Sequence, residues 1–244
     1  MIPAAEVRRL RSLRDKRCRQ ELGLFVVEGE KVVAELLSAG YRFEAIYATA
    51  AWQGERTAEM TEDEMGRASH FPKPSPVLAV GRIRSAPLPA RALEQGLTLA
   101  LDGVQDPGNV GTLLRIADWF ALDRVLLSPG CADLHSAKVI QASMGSFARV
   151  SVHACDLVET LASAHVPILG CLLEGTDIHS FAAPRDAVIV IGSEGGGLSD
   201  EIRRLVTQPV TVPRYGGAES LNAAIAAAIV CDNVRRTRVK PAGA

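Results

Sequence analysis

The chain has 244 residues, 48% of them hydrophobic and 5% aromatic, which suits one large domain or two smaller ones with a core of Ala, Val, Leu and Ile. No apolar run reaches the roughly 18 uncharged residues of a membrane span, and the charged N-terminus MIPAAEVRRLRSLRDKRCRQ lacks a secretory apolar segment. Five cysteines, an odd number without a Cys-x-x-Cys pair, argue against a disulfide framework and against a zinc site, and they indicate a reducing cytoplasm.

The formal net charge of −1 conceals a basic cluster near the start of the chain. Arg8, Arg9, Arg11, Arg14, Lys16, Arg17 and Arg19 stand against Asp15 alone, on a segment (residues 5–22) whose Val7, Leu10 and Leu13 have helical spacing before Gly23. Such a cluster suits phosphate contacts, and equally the solvated face of a helix. Residues 24–29 then read as a strand, 31–38 as a helix, 43–49 as a strand, 61–70 as a helix opened by Thr61 and early acids, and 76–83 as a strand. This alternation predicts a small α/β domain over residues 1–85, and the proline-bearing stretch 86–96 reads as a linker.

From residue 97 to 244 the rhythm changes to apolar strands separated by helices. Strands are predicted at 97–104, 123–129, 148–152, 166–173, 187–193 and 209–213, with helices at 109–121, 135–145, 156–164, 198–206 and 219–238. Uninterrupted apolar strands belong to parallel sheets covered on both faces, so the second region is expected to be a mostly parallel sheet with helices on each side.

Three segments of that region carry chemistry. LDGVQDPGNVGTLLRIADWF (101–120) runs from a strand through an Asp-Pro-Gly-Asn turn into a helix, with Asn109 near its cap and Arg115 six residues later. Ligands of open α/β sheets lie in this place, outside the carboxyl ends of strands. Arg115 alone could equally be an ordinary surface or salt-bridged arginine. VIVIGSEGGGLSDEIRRLV (188–206) ends its strand in Gly192, Ser193, Glu194, Gly195, Gly196 and Gly197. Consecutive glycines let backbone approach a ligand, although a bare tight turn would also use them. A dinucleotide fingerprint needs a third-position glycine where Glu194 stands, which counts against a nicotinamide oxidoreductase. VTVPRYGGAESLNAAIAAAIVCDNVRR (210–236) crowds Glu219, Ser220 and Asn222 at the start of an alanine-rich helix. Capping explains Ser220, whereas Asn222, a poor helix former, would fall inside the first turn and need a partner there.

Taken together, Asn109-x-Gly111-x-x-x-Arg115-x-Ala117, Gly192-Ser193-Glu194-Gly195-x-Gly197-Leu198, and Val212-Pro213 followed by Glu219-Ser220-Leu221-Asn222-Ala223 resemble the three motifs of the SpoU (TrmH-type) RNA 2′-O-ribose methyltransferases of the SPOUT superfamily, in order and in spacing, over residues 97–238. The segment FVVEGEKVVAELL (25–37) resembles that family's small substrate-binding domain more weakly. Arg214-Tyr215 departs from the usual apolar pattern of the third motif, and Ala223-Ala224 replaces its common Val-Ser.

The resemblance implies a deep trefoil knot, with the chain from about 188 to 238 threaded through an earlier loop. It implies S-adenosylmethionine as methyl donor, held by Gly192, Ser193, Glu194, Gly195, Val212, Pro213, Leu221 and Asn222. It implies a homodimer formed through the C-terminal domain, and rRNA, or else tRNA, as substrate, with neither DNA nor a membrane as partner. The RNA would be met by the N-terminal basic cluster and by Arg115. Arg115, Asn109, Glu194, Ser220 and Asn222 would form the catalytic group. A guanidinium is a poor base, so Arg115 is expected to stabilise charge and position phosphate. The competing reading from another class is a non-catalytic RNA-binding protein that retains the fold.

Overall fold

A computed structural model describes residues 2–84 and 86–236, and the last two residues of the expected helix 219–238 lie outside them. In chain order the elements are α1 (Ala4–Ser12), α2 (Lys16–Leu22), β1 (Leu24–Glu28), α3 (Glu30–Ser38), β2 (Ala45–Ala48), β3 (Ala58–Glu59), α4 (Glu62–Ala68) and β4 (Val77–Arg82). After a 3-10 turn at Ala92–Glu94 come β5 (Leu97–Asp102), α5 (Pro107–Trp119), β6 (Arg124–Leu127), α6 (Ala137–Ser143), a second 3-10 turn at Ser146–Ala148, and β7 (Val152–Ala154). The chain ends with α7 (Leu157–Ala162), β8 (Ile168–Asp177), β9 (Ala187–Gly192), α8 (Asp200–Leu205), β10 (Gln208–Thr211) and α9 (Ala223–Arg236).

By contacts the chain divides into two units, Met1–Ser85 with Asp133–Ala148, and Ala86–Ala132 with Arg149–Ala244. A single cut at residues 86–96 therefore does not describe the division, because the segment Asp133–Ala148 leaves the second half of the chain to pack with the first.

In the first unit a sheet of order β1-β4-β2-β3 is antiparallel except for the β2–β3 pair, which is parallel. The expected helix 5–22 is in fact two helices. Asp15 breaks it because its carboxylate accepts the amides of Arg17 (2.8 Å) and Cys18 (3.2 Å) as the cap of α2. One apolar cluster unites Val7, Leu10 and Leu13 of the N-terminal segment with Val26, Tyr47, Met65 and Val80. Phe25, on β1, is 1% exposed and lies 4.9 Å from the His135 ring and 5.7 Å from Phe147, so the 133–148 segment covers it.

A buried carboxylate and a half-buried one complete this unit. Glu28 accepts from the Ser69 hydroxyl (2.6 Å) and from the amides of His70 (2.8 Å) and Ser75 (3.2 Å), which offsets its desolvation. Asp133 pairs with Arg19, which is 4% exposed and also donates to the carbonyls of Leu13 (2.8 Å) and Arg14 (2.7 Å). Burial opposes ionisation of Asp133, but the Arg19 guanidinium and the His135 amide outweigh it and hold the pKa below the ordinary value.

In the second unit six strands run parallel in the order β10-β8-β9-β5-β6-β7. Ala100, Leu126, Val188 and Val190 pack with Leu157, Leu161 and Ile202 of α7 and α8 on one face. On the other face α5 packs against β6 and α9, and α9 against β8 and β9. The expected doubly covered parallel sheet is therefore present. Some bounds moved: the strand expected at 148–152 is β7 at Val152–Ala154, and the one expected at 166–173 extends to Asp177. That extension arises where β10 changes register, pairing Pro209 with Gly170 but Val210 with Thr176, so residues 171–175 arch past it. Gly175 lies in that arch, where a Cβ would come within 2.7 Å of the Pro209 carbonyl carbon. All five cysteines are free.

Replacing Phe25 with Ala is expected to cost about 3–5 kcal/mol, read as a lower denaturant midpoint for the first unit. The pH response follows from His70 and His135, whose pKa values burial holds below the 6.5 of an unfolded chain. The folded state thus prefers neutral rings, so stability is complete above that pH and is lost as pH falls from it toward the folded values. Thermal melts should show Tm falling as pH drops below about 6.5, with a flatter slope when both histidines are replaced by Gln.

Candidate functional site

The carboxyl ends of β5 and β9, the N-termini of α5 and α9 and the loops between them place most of the motif residues together. Asp106 caps α5 by accepting the Asn109 amide at 2.8 Å, and Pro107 occupies the first turn, where a missing N–H costs nothing. Asn109 therefore sits in the first turn of α5, near its cap.

The third motif starts its helix later than expected. Residues 219–222 are not helical, and Asn222 rather than Ser220 caps α9. Its Oδ1 accepts the amides of Ala224 (2.9 Å) and Ile225 (3.3 Å), and its carbonyl accepts the Ala226 amide (3.0 Å). The asparagine that looked out of place within a first turn is thus the preferred kind of cap.

With Oδ1 used in this way, the Asn222 Nδ2 donates to Asn109 Oδ1 at 3.0 Å, and Asn109 Nδ2 donates to Glu194 Oε1 at 2.5 Å. The direction of this chain is fixed at both ends. Helix amides can only donate, an ionised carboxylate can only accept, and so each amide group has one orientation. One residue from each motif is joined.

Glu194 is carried on a loop of close backbone contacts. Ser193 and Gly197 exchange both amide–carbonyl hydrogen bonds at 3.0 Å, and the Gly196 amide donates to Ser193 Oγ at 3.2 Å. Gly197 has φ of +66°, which favours glycine. Gly192 is required more strictly, since a Cβ there would lie 2.1 Å from the Gly197 carbonyl carbon.

A residue not singled out from the sequence completes the loop. The Asp102 carboxylate, at the end of β5 and opposite Gly192, accepts the amide of Ser199 at 2.7 Å. Ser199 in turn caps α8 through the Ile202 amide. The visible signal for Asp102 was an acid ending an apolar strand immediately before the first motif.

Arg115 and Ser220 are not brought into the hydrogen-bonded group. Arg115 is exposed, with no hydrogen-bond or ion-pair partner among the described residues. It follows Asn109 by six residues, a rise of about 9 Å and a rotation of about 240°, which faces it another way. Ser220 and Leu221 are exposed on the loop after β10, where Val212 and Pro213 are half-buried and Arg214 donates to the Ala218 carbonyl at 3.3 Å. α5 and α9 are tied a second time at their far ends, where Arg235 donates to the carbonyls of Phe120 and Ala121. The two helices therefore run side by side in the same direction.

Of the N-terminal basic cluster, Arg8 and Lys16 have no partner among the described residues. Arg9 pairs with Glu6 (2.6 Å), Arg17 pairs with Glu21 (2.7 Å), Arg14 donates to the His70 carbonyl (2.7 Å) and Arg11 to that of Ser69. Arg19, expected to meet RNA, is instead an internal residue, because the Asp133 carboxylate and two backbone carbonyls occupy it. Among the described residues no group of three or more His, Cys, Asp or Glu can hold a metal ion, and no helix is long and apolar enough to cross a membrane.

The fit to S-adenosylmethionine, implied by the motifs, rests on the exposed residues 194–197 and 214–222, the half-exposed apolar Leu221 among them. The model of the SpoU rRNA Methylase family matches residues 96–232, and that of the MRM3-like substrate binding domain matches residues 4–79. The 23S rRNA (guanosine(2553)-2'-O)-methyltransferase RlmP of Bacillus subtilis is 30% identical over 94% of this chain and 96% of its own. A structure from Porphyromonas gingivalis, ascribed to the TrmH family of RNA methyltransferases, is similar with a TM-score of 0.86 and 40% identity, covering 98% of this chain and all of the other. An AdoMet-bound rRNA methyltransferase from Sinorhizobium meliloti superposes with a TM-score of 0.85 at 26% identity, covering 98% and 97%.

Asp102→Ala is expected to weaken S-adenosylmethionine binding about tenfold, the scale of one hydrogen bond to a charged group, whereas Asp102→Asn keeps an acceptor and most of the affinity. Calorimetry decides it, and unaltered affinity in the alanine variant would remove the tether from the site.

Proposed function

The chain belongs to the SpoU rRNA Methylase family, and from that premise we propose that it transfers a methyl group from S-adenosylmethionine to a ribose 2′-hydroxyl of ribosomal RNA in the cytoplasm. It is an S-adenosylmethionine-dependent RNA methyltransferase. The observation that carries the reading is the Asn222–Asn109–Glu194 chain, since it draws all three motifs to one end of the parallel sheet. A protein that only bound RNA would have no need of that assembly. The rRNA specificity named for RlmP supports rRNA over tRNA as the substrate.

In this reading Gly192, Ser193, Glu194, Gly195, Val212, Pro213, Leu221 and Asn222 hold the cofactor, mostly through backbone groups. Bound there, the cofactor supplies an electrophilic methyl on a sulfonium centre. The task left to the protein is to align the ribose oxygen and exclude water. Asn109, Glu194 and Asn222 fix the geometry of the site, and Ser220 lies on the loop that faces the ribose. Arg115 neutralises charge on the 2′-oxygen and its neighbouring phosphate as the hydroxyl proton passes to water. A guanidinium holds its own proton too tightly to serve as the base.

Two further features belong to the same proposal. The unpaired Arg115, Trp119 one turn further along α5 at 84% exposure, and Ile225 on α9 at 54% support pairing of two copies through this face. Large apolar side chains exposed on these two helices are better buried than left in water. A copy's Arg115 would then act at the other copy's site. The deep trefoil knot is supported by the path after β9, which crosses beyond β8 to form β10 at the edge before α9 returns to α5.

Arg115→Ala should abolish methylation of rRNA with labelled cofactor while leaving S-adenosylmethionine affinity in calorimetry near that of the unaltered protein. Turnover close to normal in this variant would refute the role given to Arg115.

A further inference from the structure

Between α1 and α4 of the first unit lies a groove of about 380 Å3, lined by Ala4, Val7, Arg8, Arg11, Ser12 and Arg67. Three guanidinium groups from two helices edge it. Arg11 is held in place by the Ser69 carbonyl, and Arg8 is without a partner among the described residues. Arg67 pairs with Asp63 at 3.2 Å, but both side chains are more than half exposed, so that pair is weak and readily exchanged. The groove's apolar lining is the exposed Ala4 and the buried Val7. Ser12 donates its hydroxyl proton to the Arg9 carbonyl at 2.7 Å, which leaves its oxygen free to accept.

We propose that this groove takes one nucleotide of the RNA substrate, with its phosphate between Arg8 and Arg67 and its sugar on the Ala4–Val7 lining. Guanidinium forks match phosphate oxygens in pairs. The apolar lining suits the carbon face of a ribose, and the Ser12 oxygen accepts from a sugar hydroxyl. The proposal rests on the RNA methyltransferase reading. It adds Arg67, which lies 48 residues beyond the basic cluster that ends at Arg19, and it separates Arg8 and Arg11 from the neighbouring basic residues of the helix. An acidic protein segment is the other occupant that charge alone would admit. The apolar lining beside the guanidinium groups and the match of residues 4–79 to a substrate binding domain favour RNA.

The test uses the full-length protein, transcribed 23S rRNA, assembled large ribosomal subunits and the variants Arg8→Gln, Arg67→Gln and both together. Each single substitution should weaken binding to naked rRNA about tenfold and reduce the slope of log affinity against log salt by about 0.7–0.9. S-adenosylmethionine affinity and the thermal midpoint should not move, because both side chains are exposed and remote in sequence from the motifs. A double variant that binds naked rRNA as the unaltered protein does, with the same salt slope, overturns the groove as an RNA site. Loss confined to assembled subunits also overturns it, and places a ribosomal protein there instead. If the unaltered protein methylates neither naked rRNA nor subunits, the reading beneath the proposal fails, and the groove assignment fails with it.

Discussion

The arrangement of the site depends on a polar chain of three side chains, Asn222 to Asn109 to Glu194, and on the fact that its ends admit one direction only. Two free amides at the start of α9 require an acceptor, so Asn222 turns its oxygen inward and offers its Nδ2 to Asn109. Asn109 must then present its own Nδ2 to Glu194. Reversal at any point would set donor against donor. This links the N-terminus of α5, the loop after β9 and the N-terminus of α9 without a single large side chain. Arg235 closes the other end of the α5–α9 pair, so the helices cannot slide along one another without breaking both ties.

Backbone proximity supplies what the side chains do not. Gly192 leaves room for residue 197 to fold back to hydrogen-bonding distance of residue 193, and that closed loop is what places Glu194 opposite Asn109. Asp102 anchors the same loop from the neighbouring strand, through the amide that begins α8. A site built in this way presents few functional side chains and much exposed main chain.

The first unit is bound to the chain of the second by more than a linker. Asp133–Ala148 enters it after β6, and its half-buried Asp133 pairs with the buried Arg19 while His135 and Phe147 cover Phe25. The loop just before this segment is itself hydrogen-bonded to the turn after β5, with the Ala132 amide on the Val104 carbonyl at 2.9 Å and Gly103 on Ser128 Oγ at 2.9 Å. Arg19, read by charge alone, belonged to an RNA-facing cluster. Its burial shows that a basic residue in a helix serves whichever carboxylate the fold brings to it, here one 114 residues away.

The sequence alone determined the doubly covered parallel sheet, because uninterrupted apolar strands alternating with helices can bury both faces in no simpler way. It also pointed to Asn109, Glu194 and Asn222, one from each motif, which the fold joins by hydrogen bonds, whereas Arg115 and Ser220 stay outside that group. It did not determine that Asp15 would divide the first helix, that Asn222 rather than Ser220 would cap the last, or that β8 would run on to Asp177. Asp15 and Asn222 act on amides two or three residues away, where local composition allowed more than one cap, whereas the length of β8 was selected by its distant pairing with β10. Asp102 showed only as an acid ending an apolar strand and Asp133 not at all, because a carboxylate reveals its use only when the amide or guanidinium it accepts from is in place. Periodicity and turn chemistry act over a few residues and can be read directly, whereas hydrogen-bond direction and burial are properties of the folded whole.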